Sequence, residues 1–444
     1  MMADKLSRGS NSIVPMVPMI AMEARCETWD YIKIFFELPW FDRAWTFQEA
    51  VISREATVIY GENATTWASL LAAMKAMVHP DLHFIQTLAR PGKMMAFGRA
   101  AEAYTRNPNL RLSTLMFSRR CCGATNSLDM VYAYLGLTNV SQLEIPIDYD
   151  MPVEKLYAIT TKTIVGRENN LNALVAVYHP NRSSEMPSWA IDWRMPNESP
   201  PIATLLVQDV LQGGVLAPMY SAGGHEVIYD PTDDWKLLKL RGISCSRIAK
   251  VFGPCFEWDQ EGLPLQCAEW FEKLHEAIGD LNSQYPDHDE TYLDAFSRTI
   301  IADQDKFRSW TDHRANIEFR STFGSIHRHP ILSGSTFSAF LPDAEWHGRD
   351  PTRLNNYCLT VKRVCSNRAL FLAENGSIGL APWEIQAGDE ICVLFGGEVP
   401  FILRQIGSYH ELVGEAYCHG IMDGETLDRM GMSSTASPTM FTLK

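Results

Sequence analysis

The chain has 444 residues, too many for one ordinary hydrophobic core, so two or three domains are expected. Hydrophobic residues make up 46% and charged residues 21%, a globular composition that excludes a disordered or low-complexity chain. The formal net charge of −14 excludes a broad electrostatic grip on phosphate backbones, and nucleic acid is not expected as a partner.

The ten cysteines form neither C-x-x-C pairs nor a dense framework, and read as reduced, mostly buried thiols of an intracellular protein. The one signal-like run, "SIVPMVPMIAM", is interrupted by two prolines. No window approaches the roughly 18 apolar residues that span a bilayer, so a cytoplasmic location and no membrane span are expected.

In chain order, "ETWDYIKIFFELPWFDRAWTFQEAVIS" carries apolar residues at helical spacing and is broken at Pro39, which predicts two helices meeting at a corner. "EATVIYG" predicts a strand ended by Gly61, and "ATTWASLLAAMKAMV" a helix capped by Thr65 or Thr66. "LDMVYAYLGL" reads as a helix ending at Gly136, "IPIDYD" as extended, and "PVEKLYAITTKTIVG" as a helix with Pro152 at its start. This alternation gives an α/β (mixed α+β) domain over 1–195, closed by "MPSWAIDWR". Pro and Gly then mark a linker over 196–234.

Residues 235–345 read as a mixed strand and helix segment. "WKLLKLRGI" and "SRIAKVFG" suggest a strand pair, Glu269 to about Trp310 a helical middle segment, and 313–351 a loop. From 346 to 430 the text becomes short apolar runs between Gly-containing turns: "YCLTVKRV", "RALFLAE", "DEICVLFGG", "VPFILRQI" and "HELVGEAYCHGI". Such runs must pair and curl around a shared face, predicting a small antiparallel β-barrel or meander, with 431–444 as a flexible tail.

Conventional catalytic signatures fail. There is no P-loop and no G-x-G-x-x-G after a strand, so no cofactor is expected. "NGSIG" around Ser377 imitates a nucleophile elbow but sits in a β-turn setting. His327 and His329 lack further ligands at metal spacing, so no metal is expected. Cys121 and Cys122, beside Arg119 and Arg120, have the cationic neighbours that activate a thiol, but buried structural cysteines are the preferred reading.

The stretch "PWFDRAWTFQEA" is denser. A continuous helix would place Phe41, Trp45, Gln48 and Ile52 on one packing stripe, Asp42 and Glu49 about 10 Å apart on a neighbouring stripe, and Arg43 within stacking reach of Phe47. Arg43, Gln48 and Glu49 among Trp40, Trp45 and other aromatics require polar partners. Asp129 at a helix start is one candidate, and Asp192, set between Trp189 and Trp193, is another. Such a network fits a structural polar core or a ligand pocket.

These stretches resemble the fungal heterokaryon incompatibility (HET) domain family. "PWFDRAWTFQEAVIS" is similar to its W-F-x-R-x-W-x-x-Q-E segment. "RRCCGATNSLDMVYAYLGL" with "IPIDYDMPVEKLYAITTKTIV" is similar to its R-x-C, D-x-x-Y-A-x-L-G-L and D-Y elements, which include Tyr132 and Tyr149. "MPSWAIDW" is similar to its P-S-W-x-x-D-W element. The C-terminal "GSIGLAPWEIQAGDEICVLFGGEVPFILRQ" through "LVGEAYCHGIMDGE" resembles the region that commonly follows the domain. The family's upstream tryptophan-glycine and W-x-D-x-x-C-I-x-Q segments have no counterpart, so 1–195 is expected to hold only part of the domain.

The resemblance implies a role in fungal nonself recognition and regulated cell death, exercised through a protein partner or self-association. The family's fold is held to be distantly related to the TIR fold, members of which cleave NAD. The alternative is an enzyme of a fungal secondary-metabolite pathway. Arg43, Glu49, Asp129 and Asp192 would then be catalytic in a pocket walled by Trp40, Trp45, Gln48, Tyr132, Tyr149, Trp189 and Trp193, taking a small-molecule ligand.

Overall fold

The structure is a computed structural model. It describes residues 31, 34–35, 37–53, 55–77, 92–107, 110–120, 122–138, 144–177, 183–195, 202, 219–224, 226–230, 232–254, 266–305, 314–315, 320, 322–323, 351–432 and 437–444. The chain divides into two compact units: 1–156 with 193–196 and 206–215, and 157–192 with 197–205 and 216–444.

In the first unit, a 3₁₀ turn over Pro39–Asp42 leads into helix α1 (Ala44–Ile52). Strands β1 (Thr57–Tyr60) and β2 (Asn63–Thr66) form a two-stranded antiparallel hairpin around Gly61, whose positive φ of 59° suits a residue without Cβ. Thr66 caps helix α2 (Trp67–Met77), its hydroxyl accepting the Ser69 N–H at 3.1 Å. Helices α3 (Gly92–Arg106), α4 (Leu112–Ser118) and α5 (Asp129–Leu135) complete the unit, and α5 ends at Gly136 as its sequence predicts. Helix α6 (Val153–Glu168) belongs to the second unit from Tyr157 onward.

The second unit is built on a sheet that has nine strands among the described residues. Strand β3 (Tyr229–Asp230) is short, whereas β4 (Leu238–Pro254) runs for 17 residues. The sequence suggests a strand pair here; the structure has one long strand, bent by register shifts at Ser244/Ser246, Ile248/Lys250 and Val251/Pro254. Helices α7 (Gln266–Ile278) and α8 (Tyr292–Thr299) follow, the latter started by a capping box in which Thr291 and Asp294 satisfy each other's backbone N–H.

"YCLTVKRV" is also corrected. It lies in helix α9 (Pro351–Cys365), not in a strand, and its buried residues Tyr357, Cys358, Val361, Val364 and Cys365 follow the helical repeat despite the β-branched content.

Beyond α9 come β5 (Arg368–Ala373), β6 (Ile378–Pro382), β7 (Glu390–Leu394), β8 (Phe401–Ile406), β9 (Tyr409–Glu415), β10 (Tyr417–Cys418), helix α10 (Glu425–Met432) and β11 (Thr439–Leu443). The order is β10-β6-β5-β4-β11-β9-β8-β7, and β7 also pairs β4. All these pairings are antiparallel except β11 with β9. β11 therefore draws part of the predicted tail into the sheet, where Phe441 and Leu443 are buried. Inside lie Ile248, Phe371, Ile391, Val393, Ile402 and Cys418. "NGSIG" is the β5–β6 turn: Gly376 has φ 86° and Asn375 Oδ1 accepts the Ser377 N–H.

Backbone proximity makes one position in this sheet a sharp test. A Cβ on Gly379 would lie 2.2 Å from the Tyr417 carbonyl oxygen and 2.4 Å from Phe371 Cζ. Gly379→Ala is expected to destabilise the protein by about 3 kcal/mol, measured by urea unfolding; an unchanged midpoint would contradict this packing.

Candidate functional site

The local structure of "PWFDRAWTFQEA" departs from a continuous helix at Arg43, which is extended (φ −84°, ψ 136°) and caps α1. Gly123 imposes the break: its N–H donates to Asp42 O at 2.7 Å, and its carbonyl accepts the Ala44 N–H at 3.0 Å. The predicted stripe Phe41, Trp45, Gln48, Ile52 is accordingly replaced. Phe41, Ala44, Phe47 and Ala50 are buried, Trp45 and Gln48 are half-buried, and Ile52 is exposed. Arg43 and Glu49 face outward and are exposed.

The arginine that stacks on Phe47 is Arg119, immediately after α4. It is 0% exposed, with its guanidinium carbon 4.5 Å from the Phe97 ring centroid and 5.3 Å from that of Phe47. Phe97 also meets Trp40, Phe41 and Trp67 edge-on or tilted at 5.4–5.8 Å. Arg119 Nη2 donates to Phe41 O at 2.8 Å, while Nε and Nη1 are buried without a hydrogen-bond partner among the described residues.

The sequence offers Arg119 only as a neighbour of the cysteines. Its signal was its place one residue beyond α4, all seven residues of which are buried. Cys122 is buried, with its thiol 3.8 Å from Phe41 O. Cys121, His327 and His329 lie outside the described residues.

Asp129 receives Tyr149, whose hydroxyl donates to Oδ1 at 2.8 Å, rather than Arg43. That hydrogen bond, followed by burial and the carboxylate's charge, raises the Tyr149 pKa. Tyr132 Oη donates to Asp148 O at 2.9 Å and accepts the Asp148 N–H at 3.0 Å; its ring meets that of Tyr149 at 5.2 Å. The D-x-x-Y and D-Y elements thus fasten "IPIDYD", an irregular stretch that ends in a turn at Tyr149 and Asp150 rather than an extended one, to α5.

Trp193 belongs to the first unit and packs 5.2 Å from Phe117 with Arg120 above it at 5.8 Å; Asp192 belongs to the second and is 1% exposed. In the second unit Trp189 is buried, donates its indole N–H to Lys236 O at 3.3 Å, and lies under the Lys162 ammonium at 5.6 Å. Burial lowers the Lys162 pKa against the opposing charges of Asp234 and Asp233. Of the residues singled out, the structure joins Asp129, Tyr132 and Tyr149 directly.

The second unit holds a larger polar assembly. Arg298 on α8 bonds both oxygens of Asp303 at 3.1 Å and Glu290 at 3.0 Å, and Asp303 also receives Arg314 and Arg320 at 3.1 Å. Ala302 and Asp303 beside them adopt left-handed backbone conformations (φ 48° and 52°), which non-glycine residues seldom adopt. Glu290 meets His419, whose other ring nitrogen lies 3.0 Å from Tyr417 Oη.

Elsewhere in the unit a cavity of about 540 Å³ is lined by Lys236, Arg404, Tyr409, His410, Glu411 and Lys444, among others. Its charges are of both signs. Among the described residues no cluster of His, Cys, Asp or Glu could hold a metal ion, and no helix is long and apolar enough to cross a membrane.

Residues 344–433, which include β5 to β10, match the family model of the Het-6 β-barrel domain. A 62-residue segment is 42% identical to heterokaryon incompatibility protein 6, OR allele, of Neurospora crassa. The match covers 13% of this chain and 9% of that relative's length. No solved structure matches the chain significantly. The chain is thus similar to heterokaryon incompatibility proteins over part of its length, with the domain match confined to 344–433.

Arg119 separates charge from packing in the first unit. A buried cation with no carboxylate partner among the described residues adds little net stability, whereas its stem and planar head fill space. Arg119→Met is expected to change unfolding free energy by about 1 kcal/mol or less, and Arg119→Ala to cost about 3–5 kcal/mol. Equal losses in urea unfolding would show that the bond to Phe41 dominates.

Proposed function

We propose that this protein acts in heterokaryon-incompatibility-type nonself recognition, and that it works through protein contacts leading to regulated cell death. The observation that carries the reading is the Het-6 β-barrel match over 344–433, joined by similarity to an incompatibility protein. The geometry supports contacts over chemistry. Arg43 and Glu49 are exposed, Asp129 is engaged by Tyr149, and Arg119 is sealed among aromatic rings. Apolar surface is available at the β8–β9 turn, where Ile406 and Tyr409 are exposed beside the mixed-charge cavity.

Induced expression in a filamentous fungus tests the reading. Growth arrest or hyphal death is expected within the induced zone, and Gly379→Ala, by destabilising the sheet, is expected to weaken it. Colonies that grow normally while accumulating folded wild-type protein would overturn the proposal.

A further inference from the structure

His419 follows β10, and its side chain is 3% exposed with both ring nitrogens engaged. Nε2 meets a Glu290 carboxylate oxygen, which only accepts, so Nε2 carries the proton. Nδ1 then accepts from the Tyr417 hydroxyl at 3.0 Å. Both contacts are satisfied by a neutral imidazole.

A second proton, on Nδ1, would confront the Tyr417 O–H. The hydroxyl would have to turn and accept, which leaves its own hydrogen to be rehoused inside a buried site. The surroundings come from several elements. Glu290, His288 and Tyr285 face the ring from 281–290, Arg298 from α8, and Asp303 from the turn beyond it. Tyr417 faces it from β10 itself.

Glu290 and Asp303 favour the cation, while Arg298 opposes it. Burial is the largest influence and lowers the His419 pKa. Against its own burial, Glu290 is held at about 2 by His419 and Arg298, so it stays ionised throughout the range where imidazoles titrate.

The same residue is where 281–305 is tied to the sheet. Tyr285 Oη donates to the His419 carbonyl at 3.0 Å and accepts the Ile378 N–H at 3.0 Å, and Tyr292 Oη donates to Gly376 O at 3.0 Å. The His288 ring lies against Gly420, where a Cβ would come within 2.4 Å of Nε2. Displacing the imidazole would therefore loosen the loop that carries Glu290 and uncover the buried rings of Tyr285 and Tyr292.

We propose that His419 is an acid-released latch that fastens residues 281–305 to the sheet at neutral pH and frees them on acidification. A free imidazole takes up its proton near pH 6.5, the latched one only at lower pH. Stability of the latched form is therefore complete above about 6.5 and falls as pH drops toward the lower, latched value. The opening equilibrium grows up to about tenfold per pH unit in that window.

Hydrogen–deuterium exchange of the full chain at pH 7.5 and 5.5, corrected for the intrinsic rate, tests this. Peptides from 281–305 are expected to exchange several-fold to about tenfold faster at pH 5.5, while those from β7 and β8 are unchanged. His419→Gln, which keeps a donor and an acceptor but cannot titrate, is expected to remove the pH dependence, and His288→Gln to retain it. Equal protection of 281–305 at both pH values in the wild type would overturn the latch, whatever the variants do. Loss of the dependence in His288→Gln with its retention in His419→Gln would also overturn it.

Discussion

One strand has to serve four neighbours in the second unit, and the rest of that unit follows from how it manages this. Along its 17 residues β4 pairs β3 over 239–240, β11 over 238–242, β7 over 242–247 and β5 over 248–254. The pairings β4–β11–β9–β8–β7–β4 run in a closed ring, which leaves fewer bare edges than an open sheet of the same strands. Gly242 stands where β11 and β7 both address β4, and a Cβ there would lie 2.6 Å from the Val393 carbonyl. Beyond it, the bulge at Cys245 bends the strand so that its second half can turn to β5.

Polar groups inside the unit are arranged to keep this ring in register. Arg368 on β5 pairs with Glu415 at 2.9 Å, both side chains 4% exposed, and also donates to the Val364 carbonyl of α9 at 2.8 Å. Glu415 also accepts the Ile202 N–H at 2.5 Å. A buried pair of this kind adds little to stability over an apolar pair, yet it severely penalises any arrangement that separates the partners. Glu415, Tyr417 and His419 alternate along "GEAYCHG", and each finds a buried polar partner. The motif that looks like a family signature in the sequence is therefore a set of polar connections, from the sheet outward to α8 and α9.

Local features were legible in the sequence because local forces decide them. The Thr66 cap, the Gly136 helix end and the Asn375–Gly376 turn depend on residues within a few positions of one another. Features set from afar were not. Gly123 breaks the helix at Arg43 from 80 positions away, and nothing in "PWFDRAWTFQEA" announces it. β4 reads as two strands in the sequence, whereas Gly242 and the bulge at Cys245 are the means of bending a single strand. "YCLTVKRV" carries β-branched residues that suit a strand, but burial at Tyr357, Val361, Val364 and Cys365 overrides the propensity. At the candidate site, the need for a buried arginine among aromatics was readable while its identity was not, since Arg119 reaches Phe41 and Phe47 only through tertiary packing.

The central claim is that β4 makes residues on both sides of the 344–433 segment part of one cooperative body. Native-state amide exchange of the full chain across a urea series measures this directly. Amides of 238–254 are predicted to open with the same free energy and the same urea dependence as those of β5, β7 and β11. Exchange of β4 at a lower free energy, with β5 and β7 still fully protected, would contradict it.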